Sequence, residues 1–282
     1  MDLRRYLRLL TANSKTKIGS VLVGIFIATA IAESVAGNLI LPYDPVKLAV
    51  GPPLSPPSLA HPFGTNPLGM DVFSQIIAGT PNDAMVSFFV VAVGFAVGAV
   101  LGCFAGYSGG LIDEILMRVT DTFFAIPRLV LGMTVSVLVG PGPVNLMMVL
   151  AAIWWPTYAR LARSEALRLS SAPFVESAKI SGLPTRRVVV RHILSMSFPV
   201  LLVYATLDIG TVVFTYSGLS YLGLAVRPPQ PDWGAMISQS QDFLLPAPWL
   251  SLIPATIIML VVLGFSLLGD GLRDVLQAEK GR

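Results

Sequence analysis

The chain has 282 residues, a mean hydropathy of +0.74 and only 12% charged side chains, where soluble domains carry about a quarter. A soluble globule of this size could not keep so few charges, so the excess apolar residues are predicted to face lipid. The net charge of +3 does not require an acidic or nucleic-acid partner, because the placement of the basic residues explains it.

A membrane crossing takes about 20 apolar residues, and the chain reads as all-α with six of them. Residues 1–17 form a basic N-terminal segment. The first span is residues 18–41, with Glu33 near the outer interface. Its front half also resembles a secretory leader ending at Ala30-Ile31-Ala32, but the apolar run continues to Leu41 and is read as a retained span. Residues 42–82 are proline-rich (Pro52-Pro53, Pro56-Pro57) and weakly periodic, as an irregular external loop would be.

Residues 83–282 are read as a five-helix core. Met85 to Tyr107 is one uncharged span. Within it Cys103 reads as a small buried hydrophobe. As the one cysteine, it excludes an internal disulfide. Leu129 to Ala159 is also uncharged but too long for one straight crossing. Gly140-Pro141-Gly142-Pro143 divides it, so the third span is predicted to reach back to about Arg118 and the fourth forward to about Arg163. Ile193 to Tyr216 is the fifth span, interrupted by Asp208, and Trp249 to Gly269 is the sixth. Residues 217–248 form a second external loop, with prolines 228, 229 and 231, and residues 270–282 a C-terminal tail. Both external loops read as plain connections or as a docking surface for an external receptor.

Basic residues mark the cytoplasmic face of a membrane protein. Five lie before residue 18, seven between 160 and 191, and three after 272. The opposite side receives only Lys47 and Arg227, while Arg118 and Arg128 fall at or within the third span. Fifteen against two places both termini in the cytoplasm.

Several chemistries are missing. No lysine follows a glycine, so the chain has no Gly-Lys-Ser/Thr phosphate loop. His61 and His192 are far apart, there is no His-Glu-x-x-His, and no Gly-x-Ser-x-Gly elbow occurs. No metal or catalytic set is expected, which weighs against a membrane-bound enzyme. The intramembrane charges are costly, at about 2.5–3.5 kcal/mol each on insertion scales. Asp208 and Arg128 therefore either line a solute pathway or pair with neighbours, Asp121 being the nearest candidate for Arg128.

The cytoplasmic stretch 165–192 between spans four and five is too long for a turn and too short for a domain. Pro173 to Ser181 reads as a short helix with Phe174, Val175 and Ala178 on one side. Gly182 can supply a left-handed stop, and Pro184 suits the first turn of a second short helix. Two such helices would either present a rigid knob to the cytosol or lie on headgroups, held by arginines such as Arg187.

The run Glu176-Ser177-Ala178, then Gly182, then Arg191-His192-Ile193-Leu194 resembles the Glu-Ala-Ala loop of binding-protein-dependent ABC importer permeases. It is closest to the C-type subunit of the dipeptide/oligopeptide permeases. The likeness extends in order through Leu41–Pro45, His61–Gly69, Ala105–Tyr107, Tyr158–Leu161, Ser220–Leu224 and Leu268–Asp274. It implies a type I importer (MetI-like) fold in the cell membrane and a chain that is not itself an enzyme. Implied partners are a second homologous permease, two cytoplasmic ATPase subunits carrying ATP and Mg, and an extracytoplasmic substrate-binding protein. No cofactor is implied for this chain.

The loop would then be a coupling helix seated in an ATPase groove. Glu176 would be a polar anchor, Ala178 a site of close approach, Gly182 the orienting turn, and Phe174 and Val175 apolar plugs. Peptides are the leading cargo; oligosaccharides and nickel- or opine-like solutes are the alternatives. A self-contained channel or secondary transporter is the competing class. There are departures: the family usually has alanine at Ser177, proline at Ser195, and more often arginine near Met70 and Gln75. Without that proline, entry into the fifth span is expected to be less kinked.

Overall fold

The computed structural model describes residues 14–280, without the side chains of 38 and 277–280. Most of the predicted 1–17 segment and the last two residues of the 270–282 tail therefore lie outside the described residues. The architecture is all-helical. In chain order the helices are α1 (Ser14–Ala36), α2 (Val72–Ser108), α3 (Gly110–Ala125), α4 (Arg128–Val139) and α5 (Pro143–Ser170). They continue with α6 (Pro173–Ile180), α7 (Thr185–Val188), α8 (Leu194–Tyr221), α9 (Trp233–Gln239) and α10 (Trp249–Lys280).

The most extensive helix pair is α2 with α5; α8 packs on α2 and α10, and α1 closes against α10. Four helical stretches are long and apolar enough to cross a membrane: α1, α2, the run through α7 and α8, and α10. Their outward faces carry large apolar side chains such as Ile18, Val21, Ile25, Met259 and Leu263, as a lipid-facing surface requires. Helix α5 has 28 residues, or about 42 Å at 1.5 Å per residue. It buries Leu146, Leu150, Trp154 and Tyr158 in the bundle.

Close approach of α2 and α5 depends on glycines at a four-residue period, Gly94, Gly98, Gly102 and Gly106. A Cβ at Gly98 would sit 2.6 Å from Tyr158 Cβ, one at Gly106 2.6 Å from Arg163 O, and one at Gly102 against the Ala159 carbonyl. Small residues at this spacing let helix backbones touch where burial of oil in oil gives no drive. Gly19 and Gly264 do the same for α1 against α10.

Several boundaries differ from the sequence expectation. The third span is not one helix: Pro127 breaks it, and α3 and α4 meet at 87°. Proline cannot continue a helix and forces the residue before it, Ile126, into extended geometry. Helix α2 already begins at Val72, so the expected loop 42–82 ends at 71, and the expected core begins eleven residues earlier than 83. Asp71 starts it, accepting from Ser74 N at 2.8 Å. The loop itself is tied down. Thr65 Oγ1 donates to Pro52 O at 2.6 Å, Ala49 N to Leu68 O at 3.0 Å, and buried His61 Nδ1 lies 2.9 Å from Asp71 Oδ1.

Residues 217–248 are likewise not simple loop: α8 runs to Tyr221, and α9, capped by Asp232, lies inside the segment. The tail from 270 continues α10 as helix to Lys280 rather than ending at Asp270. A π-helical turn, Val189–Ile193, joins α7 to α8. Even so, Thr185–Tyr221 is one helical stretch.

Candidate functional site: a helical knob and a buried polar chain

The segment 165–192 folds as a compact helical knob. Helix α6 begins at Pro173, whose missing N–H costs nothing at a first helical position. It ends in a Schellman turn: Leu183 N donates to Ala178 O at 3.2 Å and Gly182 N to Lys179 O at 3.1 Å. Gly182 takes φ +74 with open space where a Cβ would be, so the glycine is required by conformation and not by crowding. Pro184 is the residue before α7 and accepts from the Arg187 and Val188 amides.

The two faces of the knob are unlike. Val175 and Ala178 are buried in an apolar cluster with Ala162, Ala166, Val188, Ile193 and Leu201. This corrects the expectation that Val175 is an outward plug; the α6 period turns it inward, where it fixes the knob to the bundle. Phe174, Glu176, Ser177, Ile180, Gly182 and Arg187 are exposed, and the Phe174 ring stands 6.5 Å from that of half-buried His192. Ser177 Oγ is occupied locally, donating to Pro173 O at 2.9 Å. Ile180, 88% exposed, was missed in the sequence reading. Its signal was available: an apolar residue two positions before a glycine stop, out of phase with Val175 and Ala178.

Of the three predicted residues, Asp208 and Arg128 are linked through Trp154, whereas Asp121 stands apart with another partner. Asp208 on α8 is buried and accepts from Trp154 Nε1 at 2.5 Å and Tyr158 OH at 2.9 Å, both on α5. Arg128, at the start of α4, stacks over the Trp154 ring at 4.0 Å and donates to Thr157 Oγ1 at 2.7 Å. Asp121 does not pair with Arg128, because the bend at Pro127 turns α3 away. Asp121 instead accepts from Arg160 Nη2 at 2.6 Å, and Arg160 lies over Phe124 at 4.1 Å. Trp154 thus separates buried Asp208 from half-buried Arg128 while touching both. Arg128 also borders a cavity of about 200 Å³ shared by Phe123, Pro127, Pro156 and Thr157.

Among the described residues no three or more His, Cys, Asp or Glu are grouped to hold a metal. Fold and site define a multi-pass helical membrane protein with a knob anchored to its bundle and a buried polar chain. Residues 98–281 match the family of binding-protein-dependent transport system inner membrane components.

The full length is also similar to named permeases. A "Probable D,D-dipeptide transport system permease protein" of Escherichia coli is 37% identical over 239 residues, covering 85% of this chain and 80% of that one. A glutathione transport system permease protein of Pectobacterium atrosepticum is 37% identical, covering 92% and 87%. A dipeptide transport system permease protein of Alkalihalophilus pseudofirmus is 35% identical, covering 98% and 90%. The chain belongs to this family: it is a permease subunit of the inner, or cell, membrane.

Proposed function

We propose that this chain forms half of the pathway by which an ATP-driven importer brings peptides into the cell. The cargo reading rests on the relatives, whose names specify dipeptides and glutathione. In this reading α1, α2, the broken α3–α4 pair, α5, α8 and α10 are six spans, with both termini and the knob in the cytoplasm. The fifteen-to-two distribution of basic residues supports that orientation. A second homologous permease completes the pathway, two ATPase subunits bearing ATP and Mg sit beneath, and an extracytoplasmic binding protein delivers the solute.

The observation that carries the mechanism is the division of the knob. One face is locked into the bundle through Val175, Ala178 and Val188, while Phe174, Glu176 and Ile180 are exposed on the other. A lever must be rigid toward the part it moves and open toward the part that moves it. Closure of the ATPase dimer would push on Phe174, Ile180 and Glu176. The buried cluster would carry that displacement to α5 and α8. Gly182 and Pro184 set the angle, and Arg187 and His192 flank the contact.

Arg128 and Asp208 take different parts. Arg128 borders a cavity and is the better pathway contact. Asp208 Oδ2 accepts from both Trp154 and Tyr158 and fastens α8 to α5, since a pathway that grips its cargo cannot release it. Reconstituted with its partners, the transporter should take up radiolabelled dipeptide only with ATP and binding protein both present. Uptake without ATPase subunits would instead favour a self-contained carrier.

A further inference from the structure

Where α2 leaves the 40–71 loop and α8 enters the 222–248 segment, two carboxylates are buried side by side. Asp83 on α2 is 1% exposed, and neither of its oxygens has a hydrogen-bond partner. Asp232, the N-cap of α9, is fully buried. Its Oδ1 accepts from the Ser220 hydroxyl and from Ala235 N at 3.1 Å, but Oδ2 accepts from nothing. Neither carboxylate has an ion-pair partner among the described residues.

The surroundings point into the same space. Ser217 Oγ, on a residue only 4% exposed, faces Asp83 without reaching hydrogen-bond geometry. The Tyr216 hydroxyl, which accepts from Asn82 Nδ2 at 2.5 Å, lies in the field of both carboxylates. The close approach of α8 and α9 is permitted by Gly234. A Cβ at Gly234 would strike the Ser217 carbonyl, while one at Gly79 would be in ordinary contact with Asp232 Cα at 3.5 Å. Burial pushes the Asp232 carboxyl above its usual range, against the pull of its hydrogen bonds.

A buried carboxylate is costly unless something positive accompanies it, and two adjacent ones repel. A shared proton would join one oxygen of each carboxylate and, even with Ser217 donating to Asp83, would leave one buried negative charge uncompensated. A cation takes all of them together. Carboxylate and hydroxyl oxygens, with no thiolate or imidazole among them, suit a hard ion.

We propose that Asp83, Asp232 and Ser217 bind one small hard cation, of the Na+ or Ca2+ kind, which clamps α2, α8 and the lead into α9. The site is independent of the cargo and of the ATPase contact.

The test is thermal unfolding of the purified, fully assembled transporter at neutral pH, titrated with calcium chloride or sodium chloride against choline chloride at matched ionic strength. Direct binding of radiolabelled calcium and sodium is measured in parallel. One of the two cations is expected to raise the melting temperature saturably and to bind at one site per chain. Asp83→Asn should lose both responses, and Asp242→Asn, an exposed carboxylate on the same segment, should keep them. If Asp83→Asn does not accumulate, Ser217→Ala serves, with cation affinity expected to fall about tenfold. The proposal is overturned if neither cation stabilises beyond choline, if acidification alone reproduces the effect without bound cation, or if Ser217→Ala and Asp83→Asn respond as the parent does.

Discussion

Asp208 shows what a charge inside a membrane helix needs in order to persist. Trp154 and Tyr158 supply two donors from one helix face, four residues apart, so a single turn of α5 holds Oδ2 of the carboxylate. Replacing Asp208 by leucine leaves both donors buried without a partner, at about 1–3 kcal/mol apiece. The expected outcome is a lower melting temperature and less assembled protein, with cargo preference unchanged in whatever assembles. A changed cargo preference in folded protein would place Asp208 in the pathway instead.

Arg128→Lys keeps the charge but loses stacking on Trp154, a contact of roughly 2 kcal/mol when desolvated. Uptake should fall more than stability, as comparing transport rate with melting temperature will reveal. The need for partners at Asp208 and Arg128 was legible in the sequence; their identity was not. Pairing Arg128 with Asp121 assumed a straight helix through Pro127, and the 87° bend removes that register.

At the scale of elements, the long apolar runs and the Gly140–Pro143 break are readable because hydropathy and proline act locally. The helical start at Val72 is less visible. It depends on Asp71 as a cap and on packing of polar residues such as Ser74, Gln75 and Asp83, which hydropathy counts as outside. The Gly94–Gly106 stripe was present in the sequence as a four-residue period but overlooked, since each glycine alone looks like a weak spot in a helix.

Two substitutions separate packing from propensity. Gly102→Ala drives a methyl into the Ala159 carbonyl and is expected to destabilise by about 1–3 kcal/mol. Gly24→Ala, with open space around it, should be neutral or stabilising by up to about 1 kcal/mol. Melting temperatures of the two variants check this directly. Gly182→Val, forced to φ +74, should strain the Schellman turn by about 1–2 kcal/mol. Insertion should be retained while ATP turnover is uncoupled from uptake, read as the ratio of phosphate released to peptide accumulated; an unchanged ratio would mean the turn does not set the angle of the lever.

For the whole molecule, one surface faces lipid, one end carries a hydrogen-bonded loop and short helix, and the other carries the knob. Family membership explains why so much of this was readable: the landmarks from Leu41 to Asp274 recur in order along the chain. What could not be read was which knob residues point inward. Val175, Glu176 and Ile180 lie within six positions, and only the docking of α6 against α5 and the π-turn decides that the first is core and the other two are surface.

The proposed mechanism requires that surface to be met by an ATPase. The most direct measurement is cysteine cross-linking in the assembled complex, with Ile180→Cys on the knob and Leu245→Cys, 95% exposed on the opposite segment, as the control; the native Cys103 is buried and does not compete. Ile180→Cys is expected to cross-link to the ATPase subunit, with a yield that changes when ATP is added, and Leu245→Cys to give no such product. An ATPase adduct from Leu245→Cys and none from Ile180→Cys would contradict both the orientation and the lever.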